Sequence, residues 1–404
     1  LKLIIRGGVG VDNIDVDYAK ANGIDVKNTP KASSQSVAEL AMGHMFSCAR
    51  YISIAGHTMR EGKWEKKAYG KGIELQGKTL GIVGFGRIGQ HLGVMAKAIG
   101  MKVVAFDIFH IPGIEEQLGI PYVEMDELLA MSDFVSVHAP AVDGGALISA
   151  ENIAKMKDGV VVINTSRGTN VDEAALLREA LPEYDGTWAQ NYDSPFLMYP
   201  LRHPHGASVS GLMTLSAMTV DSARRVELPI ENSLMKLVDL DRCYSVHRIP
   251  VAGGGELVLY NLHLSAYTSD GTIAMEQLKL LLEDMQREYD AGNWCVAGGD
   301  FNKDLLGDSA VYFGEADQEY TWAQPIPEDT FDGFNVSLIA PLDEGNPVPS
   351  CRNADGPYHQ GQYVLTVDGF LVSDNVTVTS SDVVDLGFAY SDHNPVEMRF
   401  VLEK

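Results

Sequence analysis

Residues 79–107 constrain the fold more than any other stretch of this chain. Thr79–Val83 is a short apolar run that stops at Gly84-Phe85-Gly86-Arg87-Ile88-Gly89. Apolar residues then recur at helical spacing to about Ile99, and a second apolar run, Lys102–Phe106, ends at Asp107. A strand, a tight glycine turn, a helix and a further strand make a βαβ unit of about thirty residues. Parallel strands need a crossover, so the pattern predicts an α/β domain built on a doubly wound (Rossmann-type) parallel sheet. Each glycine has its own task. Gly84 permits the sharp turn, Gly86 lets the main chain approach a pyrophosphate, and Gly89 lets helix and strand pack closely. The helix N-terminus adds free N–H groups and the positive end of its dipole. At Asp107 a carboxylate accepts ribose hydroxyls and repels a 2′-phosphate, so NAD is expected rather than NADP.

The flanking segments extend this plan. LKLIIRGGVG begins as a strand and runs into a Gly-rich turn, and DVDYAKANGIDVKNTP reads as a short helix, a glycine stop and a second strand. SQSVAELAMGHMFSCARYISIAGHTM carries apolar residues at helical spacing over many turns, which predicts one long, half-buried helix with Met42, Met45 and Phe46 in the core. Further strands are expected at Phe134–Val137 and Val160–Asn164. Their C-terminal ends, VHAPAV and INTSRGTNVDEAAL, face the ligand crevice of such a sheet. His138 and Arg167 therefore point toward cofactor or substrate. An arginine there binds a carboxylate bidentately and polarises a neighbouring carbonyl. The alternative is an ion pair of Arg167 with Asp172 or Glu173 at the start of the next helix.

Beyond Pro182 the chain changes character. Glu183–Lys404 holds 12 Lys and Arg against 34 Asp and Glu, which is −22 of the net −24. RRVELPI, RCYSVHRIPV, ELVLYNLHLSAY, NWCVAGGDFN and VLTVDGFLVSDNVTVTSSDVV read as strands. TIAMEQLKLLLEDMQREYDAGN reads as an amphipathic helix stopped by Gly292. Chemistry-bearing residues sit where strands end: His263, then Asp300 and Asn302, then Asp368, then Asp392 and His393. Gathered on one rim, the oxygens suit a hard ion such as Mg²⁺ or Mn²⁺, and the imidazoles suit phosphate stabilisation and proton transfer. Singly, each is more often a turn former or a cap.

RGGVGVDNID, VKNTP with SQSVAEL, GKTLGIVGFGRIG, VHAP and MKDGVVVINTSRGTNVDEAALLREAL together resemble the D-isomer-specific 2-hydroxyacid dehydrogenases, with the phosphoglycerate dehydrogenase branch nearest. The resemblance spans residues 1–181. It implies a remnant of the substrate domain over 1–34 and an NAD-binding domain over 35–181. Gly84, Gly86, Arg87, Ile88 and Gly89 would hold the pyrophosphate and Asp107 the adenosine ribose. Val137 with His138, Ala139 and Pro140, together with Thr165, Ser166 and Arg167, would line the nicotinamide side. Arg6, Gly7 and Gly8 would grip substrate, and Arg167 would be the catalytic arginine. The family's acid–base His and its orienting Glu lie after the helix that here ends in LLREAL. This chain continues instead with PEYDGTWAQNYDSPF, and the beginning of the family's substrate domain is absent as well. Without that His the hydroxyl proton has no acceptor, so weak turnover is expected, with His138 as a poor replacement.

HLS, GGDFN, DGF and SDHNPV, in that order, resemble the endonuclease/exonuclease/phosphatase superfamily from about Tyr184 onward. The resemblance implies a two-sheet α+β sandwich over 182–404 with helices outside. His393 would activate water or stabilise the in-line transition state, oriented by Asp368. Asp300 and Asn302 would position nucleophile and phosphate, His263 would bind a non-bridging oxygen, and Asp392 and Asp300 would approach the metal. The family's first strands, with an Asn and a metal-binding Glu, are missing. One sheet should be short, one edge open, and the metal site under-coordinated. Both parts lack pieces at one boundary, so a chimeric join near Pro182 is the expectation. It carries an NAD module and a phosphoester hydrolase-like domain, both with impaired catalysis.

The acidic second half argues against nucleic acid as a partner and for small phosphate esters. No apolar run is long enough to span a bilayer and no secretory leader is visible, so a cytoplasmic protein is expected. Cys48, Cys243, Cys295 and Cys351 show no paired spacing, which points to free thiols. The dehydrogenase resemblance further implies a homodimer.

Overall fold

In a computed structural model the chain separates into two units, Leu1–Leu181 with Gly206–Ser208, and Pro182–His205 with Val209–Lys404. The structure describes residues 1–7, 11, 14–29, 31–60, 62–140, 145–166, 168–197, 206–230, 241–266, 272–314, 323–354, 358–359, 361–389 and 391–403.

The first unit opens with β1 (Leu3–Arg6), α1 (Val16–Ala21) and β2 (Asp25–Asn28), the two strands pairing in parallel. α2 (Ser34–Arg50) and α3 (Ile52–Arg60) follow. Next come β3 (Thr79–Val83), α4 (Arg87–Ala98) and β4 (Lys102–Phe106), matching the expected βαβ unit strand for strand. α5 (Ile114–Leu118), α6 (Met125–Met131), β5 (Phe134–Val137), α7 (Ala150–Ile153), β6 (Val161–Asn164) and α8 (Glu173–Ala180) complete it. The strands form one parallel sheet in the order β4-β3-β5-β6. Every residue of β3 and β5 is buried, as continuous apolar strands covered on both faces must be. On one face Leu80, Ile82, Val103 and Ala105 join α2 and α4 in a single core. On the other, Val83, Val104, Val135 and Val137 meet Leu128, Leu129 and Ile153. The sheet is therefore doubly wound and Rossmann-like.

Two expectations need correction. The long helix is broken at Tyr51, which adopts the left-handed conformation (φ 57°) and separates α2 from α3. In an unbroken helix the Ala49 carbonyl would accept from Ser53, but here it accepts the Ile73 N–H at 2.9 Å. Met42 and Met45 are buried as expected, whereas Phe46 is 38% exposed.

After Pro182 come β7 (Asp185–Leu197) and β8 (Gly206–Ser216), a two-stranded sheet that the sequence pattern did not announce. The remaining strands of the second unit are β9 (Ser222–Glu227), β10 (Cys243–Pro250), β11 (Glu256–His263), β12 (Trp294–Asp300), β13 (Val336–Ile339), β14 (Cys351–Arg352), β15 (Val364–Leu365), β16 (Asp368–Ser373), β17 (Val376–Val383) and β18 (Val396–Leu402). The helices α9 (Thr272–Asp290) and α10 (Ser309–Phe313) lie between them. Six strands form the main sheet in the order β13-β16-β12-β11-β10-β9. α9 covers one face, with Leu278, Leu281, Leu282 and Met285 against Val258, Tyr260 and Ala297. On the other face Leu257, Val296 and Val372 meet Val378, Met398 and Phe400 of the β17–β18 hairpin. The layers are thus helix, six-stranded sheet and two-stranded sheet among the described residues. β11 and β12 run parallel and β16 runs antiparallel to β12, so the ends of two strands and the start of a third share one rim.

Candidate functional sites

In the first unit the turn between β3 and α4 is held from below. Gly84 takes φ +93°, and a Cβ there would lie 2.7 Å from the main chain of His138 and Ala139. A Cβ on Gly89 would fall 2.4 Å from the Gly84 carbonyl oxygen, which is the close helix–strand approach. Gly86 has no heavy atom within 4 Å of where its Cβ would be, and no side chain caps the N-terminus it forms. Asp107 accepts the Phe85 N–H at 2.7 Å through Oδ2 and the Phe109 N–H at 3.0 Å through Oδ1. The acid that would meet a ribose therefore also fixes the turn. The open glycine cradle, the uncapped helix end and the carboxylate beside them fit a dinucleotide.

Arg87 and Ile88 begin α4, with Ile88 packed against the core. Beside the cradle, His138 lies between the Ser136 hydroxyl at 2.9 Å and the Thr165 hydroxyl at 3.3 Å. Burial lowers its pKa to about 4, so the ring is neutral. The Ala139 carbonyl accepts from Ser166 Oγ, and from Asn170 Nδ2 at 2.8 Å, tying the VHAP segment to the turn after β6. Pro140 follows, exposed. Arg6 ends β1 and donates to the Gly7 carbonyl at 3.2 Å. Gly8 and Arg167 lie outside the described residues.

In the second unit the register itself assembles the site: His263 stands opposite Asp300, and Asp300 opposite Asp368. His263 Nε2 is 3.4 Å from Asp300 Oδ2, and His393 Nε2 is 4.0 Å from the same oxygen. His393 Nδ1 makes a 2.8 Å hydrogen bond to Asp368 Oδ2. Asn302 takes φ +50°; its N–H donates to Asp300 Oδ1 at 2.8 Å and its side-chain amide to the Leu264 carbonyl at 2.7 Å.

The electrostatics are opposed. Burial, then the neighbouring Asp368 charge, raises the Asp300 pKa to about 7. Burial, then the charge of Arg242, then that of His393, lowers His263 to about 3. Burial alone would also lower His393, but its hydrogen bonds to Asp368 and Cys351 outweigh this and hold it well above the usual imidazole range. The rim thus presents a cationic imidazole, a neutral one, and a carboxylate that titrates near neutrality.

Asp300, Asp368 and His393 have ligand atoms within 4.8 Å of one another; the two carboxylate oxygens suit a divalent cation, whereas His393 could join them only as the neutral ring. Asp392, expected at the metal, is not part of that cluster. Its carbonyl pairs with the Arg352 N–H at 3.0 Å, and its carboxylate meets the Ser391 hydroxyl at 3.3 Å. The rim also recruits residues that no motif marked. Ser350 Oγ donates to Asp368 Oδ2 at 2.8 Å, Cys351 Sγ lies 3.5 Å from His393 Nε2, and Arg242 acts through its charge. Their places come from chain pairing across long separations, which spacing in sequence does not reveal. All four cysteines are free thiols. Among the described residues no helix is long and apolar enough to cross a membrane.

Residues 42–183 match the family described as D-isomer specific 2-hydroxyacid dehydrogenase, NAD binding domain. The chain is 53% identical over 183 residues to a hydroxypyruvate reductase of Thermotoga maritima, covering 45% of this chain and 58% of that protein. It is 47% identical over 177 residues to a D-3-phosphoglycerate dehydrogenase of Archaeoglobus fulgidus, covering 44% of this chain and 33% of that one. A solved structure described as the pyruvate reductase of Chlamydomonas reinhardtii is 42% identical, covers 45% of this chain and 53% of its own, and superposes with a TM-score of 0.41. The chain thus spans 58% or less of the length of these relatives. The N-terminal part is an NAD-binding, Rossmann-like domain of the 2-hydroxyacid dehydrogenase type.

Proposed function

We propose that residues 35–181 serve as the NAD module of a phosphoglycerate-type dehydrogenase, with residues 1–34 a remnant of its substrate domain, and that the module grips dinucleotide far better than it turns over a hydroxy acid. One observation carries the reading: the Gly84–Gly89 turn is braced by Asp107 and left open at Gly86. When bound there, NAD supplies the hydride acceptor. Gly86 and the α4 N-terminus receive the phosphates, and Asp107 selects against a 2′-phosphate. Arg167 follows β6 in sequence and binds the carboxylate of a substrate gripped also by Arg6, Gly7 and Gly8. The proton step is the weak one. After α8 the chain enters β7 rather than the family's strands that carry Glu and His. His138 does not replace them, because hydroxyls hold both its nitrogens and burial, which lowers its pKa to about 4, leaves it a weak base. The loss of an acid–base group lowers turnover by about 10²–10⁴-fold. Fluorescence titration should show saturable NADH binding and little NADPH binding; equal affinities would remove the role given to Asp107.

A second reading rests on a separate observation, the joining of His393, Asp368, Asp300 and His263 on one rim. It assigns the second unit to metal-assisted phosphoester hydrolysis of the endonuclease/exonuclease/phosphatase kind. A divalent ion such as Mg²⁺ or Mn²⁺ held by Asp300 and Asp368 would supply charge neutralisation at the phosphoryl oxygens. His393, cationic beside Asp368, stabilises charge on the transferring phosphoryl group. Asp300, beside the ion, positions the attacking water. Asn302 and neutral His263 orient the non-bridging oxygens. The reading also gives the chain two unrelated frameworks that meet near Pro182. Release of p-nitrophenol from bis(p-nitrophenyl) phosphate with Mn²⁺ should be abolished by EDTA and by His393→Ala. A rate indifferent to both would reject this reading.

A further inference from the structure

We propose that Ser350 and Cys351 are a positioning pair that sets both ends of the Asp368–His393 couple, a proposal that rests on the hydrolase reading of the second unit. The pair is delivered by the main chain. The segment 350–352 runs antiparallel to 392–394: the Asn394 N–H donates to the Ser350 carbonyl at 2.7 Å, the Arg352 N–H donates to the Asp392 carbonyl at 3.0 Å, and Cys351 stands opposite His393. Asn394, itself buried, locks this ladder in place. Its Nδ2 donates to the Pro349 carbonyl at 3.1 Å, and its Oδ1 accepts the N–H groups of Leu386 and Phe388 at 3.2 and 3.3 Å.

Ser350 is fully buried, and its hydroxyl has no spare capacity. It accepts the N–H groups of Val367 and Asp368 at 3.0 and 3.1 Å, which turns its own proton toward Asp368 Oδ2 at 2.8 Å. That oxygen is the one that meets His393 Nδ1, so Ser350 decides which face of the carboxylate the imidazole sees. Cys351, 2% exposed, places its sulfur 3.5 Å from the other ring nitrogen. A single anchor at Nδ1 leaves the ring free to pivot about that bond, and a second contact at Nε2 fixes its plane. Sulfur suits the task because it is a weak hydrogen-bonding partner, so it aligns Nε2 without competing strongly with a phosphoryl oxygen. Such outer contacts fix the orientation and hydrogen-bonding state of a working imidazole.

The test uses the full chain with ¹⁵N-labelled histidine, the His393 ring signals being assigned by their loss in His393→Gln. Cys351→Ala should shift the Nε2 resonance, leave the Nδ1 signal in place, and lower kcat on bis(p-nitrophenyl) phosphate with Mn²⁺ about tenfold at unchanged KM. Cys351→Ser should restore most of both. Ser350→Ala strands two buried N–H groups and can unfold the segment, so Ser350→Thr, which keeps the hydroxyl, is its companion and should retain the wild-type ring spectrum. An unchanged Nε2 signal in Cys351→Ala would overturn the positioning role. A shifted signal in a protein that cleaves no phosphodiester would instead uphold the positioning and reject the hydrolase reading.

Discussion

At Asp300 burial and chemistry pull against each other. The carboxylate must shed its water to sit on the rim, and its pKa rises from 3.8 to about 7. A raised folded-state pKa means that the folded chain holds this proton more tightly than the unfolded one. The associated stability is fully present below pH 3.8 and is lost as pH climbs through about 7. Asp300→Asn removes that dependence. Between pH 5 and pH 8, without added metal, the wild type should lose on the order of 2 kcal/mol more stability than the variant, at ~1.4 kcal/mol for each pH unit over which the proton is held. Thermal melts at the two pH values measure this, and parallel curves for the two proteins would contradict the buried, titrating carboxylate. On the hydrolase reading, phosphodiester hydrolysis by the variant should fall at least about 100-fold, since a ligand of the ion and a contact of the attacking water is weakened. His393 carries the same sign: its pKa is raised above 6.5, so its contribution is full below about pH 6.5 and is lost progressively as pH rises from there toward the raised value. Asp368→Asn weakens the partner that holds the raised value, and the variant should melt lower at pH 7 while the rest of the main sheet stays formed.

At the scale of elements, α4 is seated by two glycines with opposite duties. At Gly89 a Cβ would strike the Gly84 carbonyl at 2.4 Å, so Gly89→Ala should push α4 off β3 and destabilise the first unit by about 1–3 kcal/mol. At Gly86 a Cβ meets nothing within 4 Å, so Gly86→Val should leave the melting temperature within a degree or two, yet weaken NADH binding about tenfold or more by filling the phosphate cradle. Paired melting and titration curves separate the two effects; equal loss of binding and stability in both variants would undo the distinction. β3, β4 and β5 were legible because each is a short, mostly apolar run rich in β-branched residues between turn signals, and the row of His263, Asp300 and Asp368 because each stands at a strand end. The break at Tyr51 was not legible, since it depends on Ile73 capturing the Ala49 carbonyl from outside the helix. The β7–β8 sheet was equally hidden. Its strands owe their place to side-chain bonds such as Thr187 to His247 at 2.7 Å and Asn191 to the Cys243 N–H at 3.1 Å, not to alternation in sequence. Ser350 and Cys351 escaped notice for the same reason, their partners lying 18 and 42 residues away along the chain.

At the scale of the whole molecule, on the proposed hydrolase reading, charge is what would choose among phosphate esters. Glu183–Lys404 carries −22 of the net −24, and a polyanion approaching it must overcome that field before any contact with the rim forms. Proteins that bind duplex DNA neutralise several phosphates with Lys and Arg and release counterions, which makes their affinity fall steeply with salt. With 12 basic residues against 34 acidic ones, this part of the chain has few cations from which to build the basic face that such binding uses. A small ester carries one or two charges, which the proposed divalent cation together with His393 and Arg242 would offset. The two substrate classes should therefore separate at low ionic strength, where unscreened repulsion is strongest. In 20 mM buffer with Mn²⁺, about a Debye length of 20 Å or more, bis(p-nitrophenyl) phosphate should be hydrolysed while a labelled duplex shows neither retardation nor nicking. Adding salt should change the small-ester rate little and should not weaken a DNA complex, because none forms. Retardation of the duplex that disappears as salt rises would mean that a basic face exists despite the composition, and would move the proposed substrate from small esters to nucleic acid.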